Sequence, residues 1–145
     1  MKKLNIVAVF NKELDKGLFC LRAKAPFKGM YNFVGGKVED GESDYDAAYR
    51  ELKEETGISS EDIKIDHFMD LNYFKLDTNL QVYYGILNHE VELIEEKNKL
   101  EWLPIGDNLI DNNKFAGNYN IPHIIEQIKL YMNSETSDKW SSKDI

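Results

Sequence analysis

The stretch Gly36-Lys37-Val38-Glu39-Asp40-Gly41-Glu42-Ser43-Asp44-Tyr45-Asp46-Ala47-Ala48-Tyr49-Arg50-Glu51-Leu52-Lys53-Glu54-Glu55-Thr56-Gly57-Ile58 joins a glycine-opened loop to a capped helix. Ser43 with Asp46 three residues on is a capping-box-like start, and Asp44 and Asp46 put negative charge in the first turn, where the helix dipole favours it. Gly57 suits the left-handed position after the last turn, so the pattern predicts a helix over Asp44 to Thr56. At the helical turn angle Glu51, Glu54 and Glu55 fall within about 100° of arc, with Tyr45, Tyr49 and Leu52 on the other side. Glu51 and Glu55 repel by a few tenths of a kcal/mol, and Arg50 with Glu54 recovers about as much. Two readings of this acidic edge stand: a solvated face, or a site for a hard divalent cation such as Mg²⁺, which binds few carboxylates and shares phosphate oxygens. The pair Gly35-Gly36 is likewise either a plain turn or a place where bare backbone approaches a phosphate or offers a carbonyl to a metal.

Outward from this helix the chain alternates between strand and loop. Residues 4–10 and 17–24 read as two strands joined in a hairpin by a polar turn, and 31–34 as a short strand before the glycine pair. Residues 63–76, interrupted, and 80–88 are extended by their aromatic and β-branched content. The acidic run 90–100 reads as a loop with partial strand character, and Trp102 packs an aromatic back on the core. Ile121, Ile124, Ile125, Ile128 and Met132 mark a second helix over 121–132, with Pro122 tolerated in its first turn. The expected organisation is one domain over residues 1–133 and a polar, flexible tail over 134–145.

With 145 residues, 42% of them apolar, the chain supports one core. No run approaches the roughly 18 apolar residues of a membrane span, and Met1 to Ile6 leads into strand alternation with no signal-peptide cleavage site. The expectation is a cytoplasmic protein without a membrane partner. Cys20, the single cysteine, sits in an apolar run and reads as a small buried hydrophobe, so no internal disulfide forms. A net charge of −8 argues against a nucleic-acid polymer as ligand, because polymer binding uses clustered Lys and Arg. A small anion stays compatible with it. Only two arginines, Arg22 and Arg50, stand among the eighteen basic residues. The three histidines lack metal-ligand spacing.

From Gly36 the pattern is Gly36, five residues, Glu42, seven residues, then Arg50-Glu51-Leu52-Lys53-Glu54-Glu55-Thr56-Gly57-Ile58. It resembles the Nudix box at every defined position, and the flanking strands and late helix also look like the family's layout. The resemblance implies an α/β fold, a Nudix-type α/β/α sandwich around a mixed β-sheet, whose box forms a loop-helix-loop holding Mg²⁺ or Mn²⁺. It implies a hydrolase that splits the pyrophosphate linkage of a nucleoside-diphosphate-like substrate. Carried onto this chain, Glu51, Glu54 and Glu55 become metal ligands and the Gly36 carbonyl a further one. Glu54, Glu55 and Arg50 carry the catalysis, with Arg50 orienting a glutamate and Glu42 supporting the loop.

The flanks set expectations about substrate. Asn32-Phe33-Val34-Gly35-Gly36-Lys37 looks like the matching stretch of enzymes that clear oxidised purine nucleoside triphosphates, although Val34 replaces a proline common in the family. On this MutT-like resemblance Asn32 and Lys37 are expected to touch substrate. Glu96, six residues before Trp102, resembles an extra metal ligand of MutT-like members; it is otherwise an ordinary loop carboxylate. Asn120, in Asn120-Ile121-Pro122-His123, resembles the asparagine that reads oxidised guanine, and equally an N-cap. Arg22 either contacts substrate or is a solvated charge at a strand end. The expected reaction takes a small-molecule nucleotide such as 8-oxo-dGTP to monophosphate and pyrophosphate, in a monomer or homodimer. The alternatives are a dinucleoside polyphosphate hydrolase, since Tyr73 lies near the place where those enzymes carry a tyrosine, or a non-catalytic nucleotide sensor. Sensors usually lose box glutamates, and this chain keeps them all. No proline lies between Ile58 and Pro104, which departs from the ADP-ribose branch.

Overall fold

The structure, a computed structural model, describes residues 1–106, 114–117 and 120–137. Strand β1 is Lys2–Phe10, β2 Lys16–Leu21, β3 Tyr31–Asn32 and β4 Val34–Lys37; helix α1 is Asp44–Thr56. Strand β5 is Ile63–Tyr73, β6 Thr78–Leu87 and β7 Leu100–Pro104, and helix α2 is Asn120–Ser137. The sheet runs β3-β2-β1-β6-β5, with β4 also on β1 and β7 also on β2. It is mixed: β1 and β6 are parallel, and the other pairs are antiparallel.

Asn5 to Phe10 are all buried, as a strand covered on both faces requires. The alternation of β1 divides the core. Ile6, Ala8 and Phe10 face α2, where they meet Ile121, Ile124, Ile125 and Ile128. Val7 and Val9 face α1 and meet Ala48 and Leu52. Two helical layers thus enclose the sheet, an α/β/α sandwich of the expected class. Trp102 packs on the α1 side, as its apolar setting predicts. Cys20 is buried, and burial pushes its thiol up to about 11, so the thiol is inert near neutral pH.

Helix α1 begins and ends where its caps predict. Ser43 Oγ accepts from the Asp46 N–H at 3.1 Å, and Gly57 turns left-handed at φ 81° with its N–H on the Lys53 carbonyl. Two points differ from the sequence reading, and the interruption it expected is located. The β1–β2 pairing is confined to the register Phe10↔Gly17, because the rest of that edge of β1 takes β4 through Leu4↔Lys37 to Val7↔Val34. The interruption in the 63–76 segment is a bulge between His67 and Met69 and a 3-10 turn at Phe74–Leu76. Helix α2 continues past Met132 to Ser137, since no glycine or proline stops it. Of the tail expected from Ser134, residues 138–145 lie outside the described residues. No described helix is long and apolar enough to cross a membrane.

Candidate active site

The register that places β4 beside β1 brings Gly35 and Gly36 against Ile6 and Asn5. Neither glycine tolerates a side chain. A Cβ at Gly35 would lie 2.1 Å from the Asn5 carbonyl oxygen, and one at Gly36 would lie 2.3 Å from Glu51 Cδ and 2.5 Å from each Glu51 carboxylate oxygen. The Glu51 carboxylate therefore rests directly on the Gly36 backbone, in space that only glycine leaves open.

Arg50 organises the remaining carboxylates. Its Nε and Nη2 donate to the two Glu42 oxygens at 2.9 and 2.6 Å, a bidentate pair. Nη1 donates to Glu51 Oε1 at 3.0 Å and to Glu54 Oε2 at 3.1 Å, and Nη2 also reaches the Lys37 carbonyl at 3.0 Å. The hydrogen bonds from Arg50 hold the Glu42 carboxyl down at about 2, and Glu42 in turn holds the guanidinium well above its ordinary range. Glu42 also accepts from the Glu39 N–H at 2.9 Å, tying the loop before α1 to the helix.

Glu55 contrasts with these. Burial first, and then the charge of Glu51, push its carboxyl up to about 7, while the Gly35 backbone, Lys97 and Glu54 enter as smaller influences. Among the described residues no group of three or more His, Cys, Asp or Glu side chains is gathered around one point, because Arg50 draws Glu51 and Glu54 to itself. The donor set nonetheless suits a hard cation: carboxylate oxygens on adjacent helical turns beside the bare Gly36 peptide, with one carboxylate short of positive charge.

The raised carboxyl of Glu55 makes the stability of the fold depend on pH. Without metal, its folded value near 7 exceeds the ordinary 4.5, so between those values the folded state binds the extra proton. Stability from this group is full below about pH 4.5 and falls as pH rises toward 7. Each pH unit is worth about 1.4 kcal/mol. Allowing for residual solvent access, the loss is roughly 1 to 3 kcal/mol. Glu55→Gln carries no charge to bury, so in chelator its melting temperature should overtake that of the wild type as pH rises from 5 to 7.5. Parallel melting curves across that range would refute the effect.

A cavity of about 690 Å³ opens from this corner. Gly35, Gly36 and Glu55 line it, and Arg22, Lys24 and Lys97, also on its lining, supply local positive charge to an acidic protein. Asn32, Tyr73 and Asn120 line it as well, among apolar walls that include Phe33, Leu80 and Ile124. Arg22 Nε donates to the Pro26 carbonyl at 2.8 Å, and Asn32 Oδ1 accepts from the Phe33 N–H at 2.9 Å. Asn120 opens α2 and donates from Nδ2 to Tyr73 Oη at 2.7 Å, so its amide faces the cavity. Arg22, Asn32, Asn120, Gly36 and Glu55 are thus gathered around one cavity, with Glu51 lying against Gly36.

Five expected residues do not line it: Arg50, Glu51 and Glu54, joined in the ion-pair cluster beside Gly36, and Lys37 and Glu96. Lys37 contributes its carbonyl to Arg50, and its exposed side chain does not line the cavity. Glu96 is exposed in the segment between β6 and β7 and does not line the cavity; its neighbours Lys97 and Asn98 do. Sequence reasoning missed Lys97, Lys24 and Asn5. The two lysines carry no signal among so many others, whereas Asn5 is the one polar residue inside the buried run of β1, a signal that was there to read.

A family model described as NUDIX domain matches residues 1–123. The chain is 41% identical over 61 residues to the CTP pyrophosphohydrolase of Escherichia coli (strain K12), a match covering 41% of this chain and 45% of that protein. It is 32% identical over 89 residues to the 8-oxo-dGTP diphosphatase of the same organism, covering 60% and 67%. The matched segment thus spans less than half of the first of these relatives. Among solved structures, a C. elegans Ap4A hydrolase binary complex superposes with a TM-score of 0.73 at 19% identity, covering 90% of this chain and 98% of that one.

Proposed function

The chain belongs to the NUDIX family of hydrolases, and we propose that it is a divalent-metal-dependent pyrophosphohydrolase converting a nucleoside triphosphate, such as 8-oxo-dGTP, to monophosphate and pyrophosphate. The observation that carries this reading is the continuity of the cavity from Gly35, Gly36 and Glu55 to Tyr73 and Asn120. Its volume suits a nucleotide. One ligand can set its phosphates against the box and its base among amides and apolar walls.

Glu51, Glu54, Glu55 and the Gly36 carbonyl would hold the metal. When bound, such an ion neutralises phosphate charge and lowers the pKa of water, making a nucleophile available at neutral pH. The chain's own groups supply the rest. Arg22, Lys24 and Lys97 attract and align the polyphosphate, and the glycine backbone lets it approach without obstruction. A box carboxylate takes the proton of the attacking water as a P–O anhydride bond breaks and pyrophosphate leaves. Arg50 keeps Glu51 and Glu54 oriented between turnovers.

Asn120 bears on base selection. Its amide offers a donor and an acceptor, which match a purine edge including the carbonyl and N–H gained when guanine is oxidised. Asn120→Ala should lower kcat/KM for 8-oxo-dGTP more than for dGTP, by roughly tenfold, the equivalent of one hydrogen bond of about 1 to 2 kcal/mol. An unchanged ratio with a lower melting temperature would make Asn120 a helix-end residue only.

Tyr73 favours a second reading, a dinucleoside polyphosphate hydrolase, because its hydroxyl faces the same cavity. A panel of normal and oxidised nucleoside triphosphates, dinucleoside polyphosphates and ADP-ribose with Mg²⁺ decides between them. The proposed function requires pyrophosphate release from a triphosphate as the fastest reaction. Faster cleavage of a dinucleoside polyphosphate would replace it with the second reading.

A further inference from the structure

Asn5 is 2% exposed and sits mid-strand on β1, directly opposite Gly36 in the β1–β4 register. Its Oδ1 accepts from the Gly36 N–H at 3.0 Å. That bond fixes the amide's orientation: a flipped side chain would set N–H against N–H, so Nδ2 must point elsewhere. Nδ2 is buried and has no hydrogen-bond partner among the described residues. Leaving a buried donor unpaired is costly, and such a group in a folded protein calls for an explanation.

The neighbourhood supplies one. On the β6 side the register partner Gln81 is also buried, but its amide is satisfied: Oε1 accepts from Tyr83 Oη at 3.1 Å and Nε2 donates to Asn79 Oδ1 at 3.1 Å. On the β4 side, residues opposite each other in an antiparallel pair share a sheet face, with Cβ positions about 5 Å apart. The Glu51 carboxylate occupies the Cβ position that Gly36 lacks, on the face that carries the Asn5 side chain. It is an acceptor on that face beside the Gly36 backbone, and Arg50 Nη1 holds one of its oxygens at 3.0 Å.

We propose that Asn5 is a positioning residue for the metal-binding end of the site, holding the Gly36 peptide through Oδ1 and receiving the Glu51 carboxylate on Nδ2 when Glu51 leaves Arg50. One small side chain thereby anchors the residue whose carbonyl is assigned to the cation and also receives the Glu51 carboxylate assigned to it, and the orphaned donor gains its partner in the loaded state. The inference rests on the reading of Gly36 and Glu51 as metal ligands.

The test compares wild type, Asn5→Leu and Asn5→Val; both variants remove the amide, and valine, a strong strand former, keeps the comparison open if leucine folds poorly. Three quantities are measured: the Mn²⁺ dissociation constant without nucleotide, by electron paramagnetic resonance of free Mn²⁺; the melting temperature in chelator; and kcat and KM separately. We expect Mn²⁺ binding to weaken by roughly 10- to 100-fold and kcat to fall, with KM within about twofold. Variants that bind Mn²⁺ as the wild type does, whatever their melting temperature, would make Asn5 a purely structural strand residue and overturn the proposal. A wild type that binds no Mn²⁺ would overturn the metal reading of Gly36 and Glu51 itself, and Asn5 with it.

Discussion

A Glu54→Gln, Glu55→Gln double variant should lose on the order of 10² to 10⁴ in turnover while remaining folded. Glutamine keeps the shape of each side chain and removes a charged oxygen donor, so the loss isolates the carboxylates' chemistry from their packing. The fold should survive because the core side of α1 is made by Ala47, Ala48, Leu52 and Thr56, on which neither glutamate intrudes. Pyrophosphate release under saturating nucleotide, with circular dichroism on the same sample, reads both quantities. Near-normal turnover by the folded variant would remove the catalytic assignment.

Arg50→Lys should cost roughly 10- to 100-fold in metal affinity or turnover, the usual penalty for losing a group that orients ligands. Lysine keeps the charge but not the fork. The five hydrogen bonds of Arg50 bridge Glu42, Glu51, Glu54 and the Lys37 carbonyl at once, and an ammonium cannot span them. The same change has an acid signature. With its carboxyl held at about 2, Glu42 contributes stability that is fully present above its ordinary value near 4.5 and is lost as pH falls toward 2. The variant loses that contribution, so its midpoint of acid unfolding should move to higher pH. Wild-type activity together with an unmoved acid midpoint would show that Arg50 only decorates the surface.

The segment from Gly36 to Ile58 was legible because its signals are local. Caps, the helical spacing of three glutamates and the glycine pair each act within a few residues, and α1 begins and ends where Ser43 and Gly57 dictate. What depends on distant pairing was not legible. The apolar run of β1 reads as a strand, yet nothing within it announces β6, more than seventy positions away, as its parallel partner, or β4 as the competitor for its other edge. The cavity shows the same division. Asn32 and Asn120, expected from the resemblance, and Arg22, singled out at a strand end, all line it. Lys24 and Lys97 join them only through tertiary placement, whereas Asn5 stands out as the polar residue in the apolar run of β1. Glu96 shows the limit of spacing in an irregular segment, where one residue of offset exchanges a carboxylate facing outward for a lysine at the cavity.

The most direct test is to incubate the wild-type protein with 8-oxo-dGTP and Mg²⁺, separate the products by anion exchange and repeat the reaction with excess chelator. The account predicts equimolar monophosphate and pyrophosphate with the metal, and no reaction once the metal is chelated. Orthophosphate and a nucleoside diphosphate as products, or hydrolysis undiminished by the chelator, would contradict it.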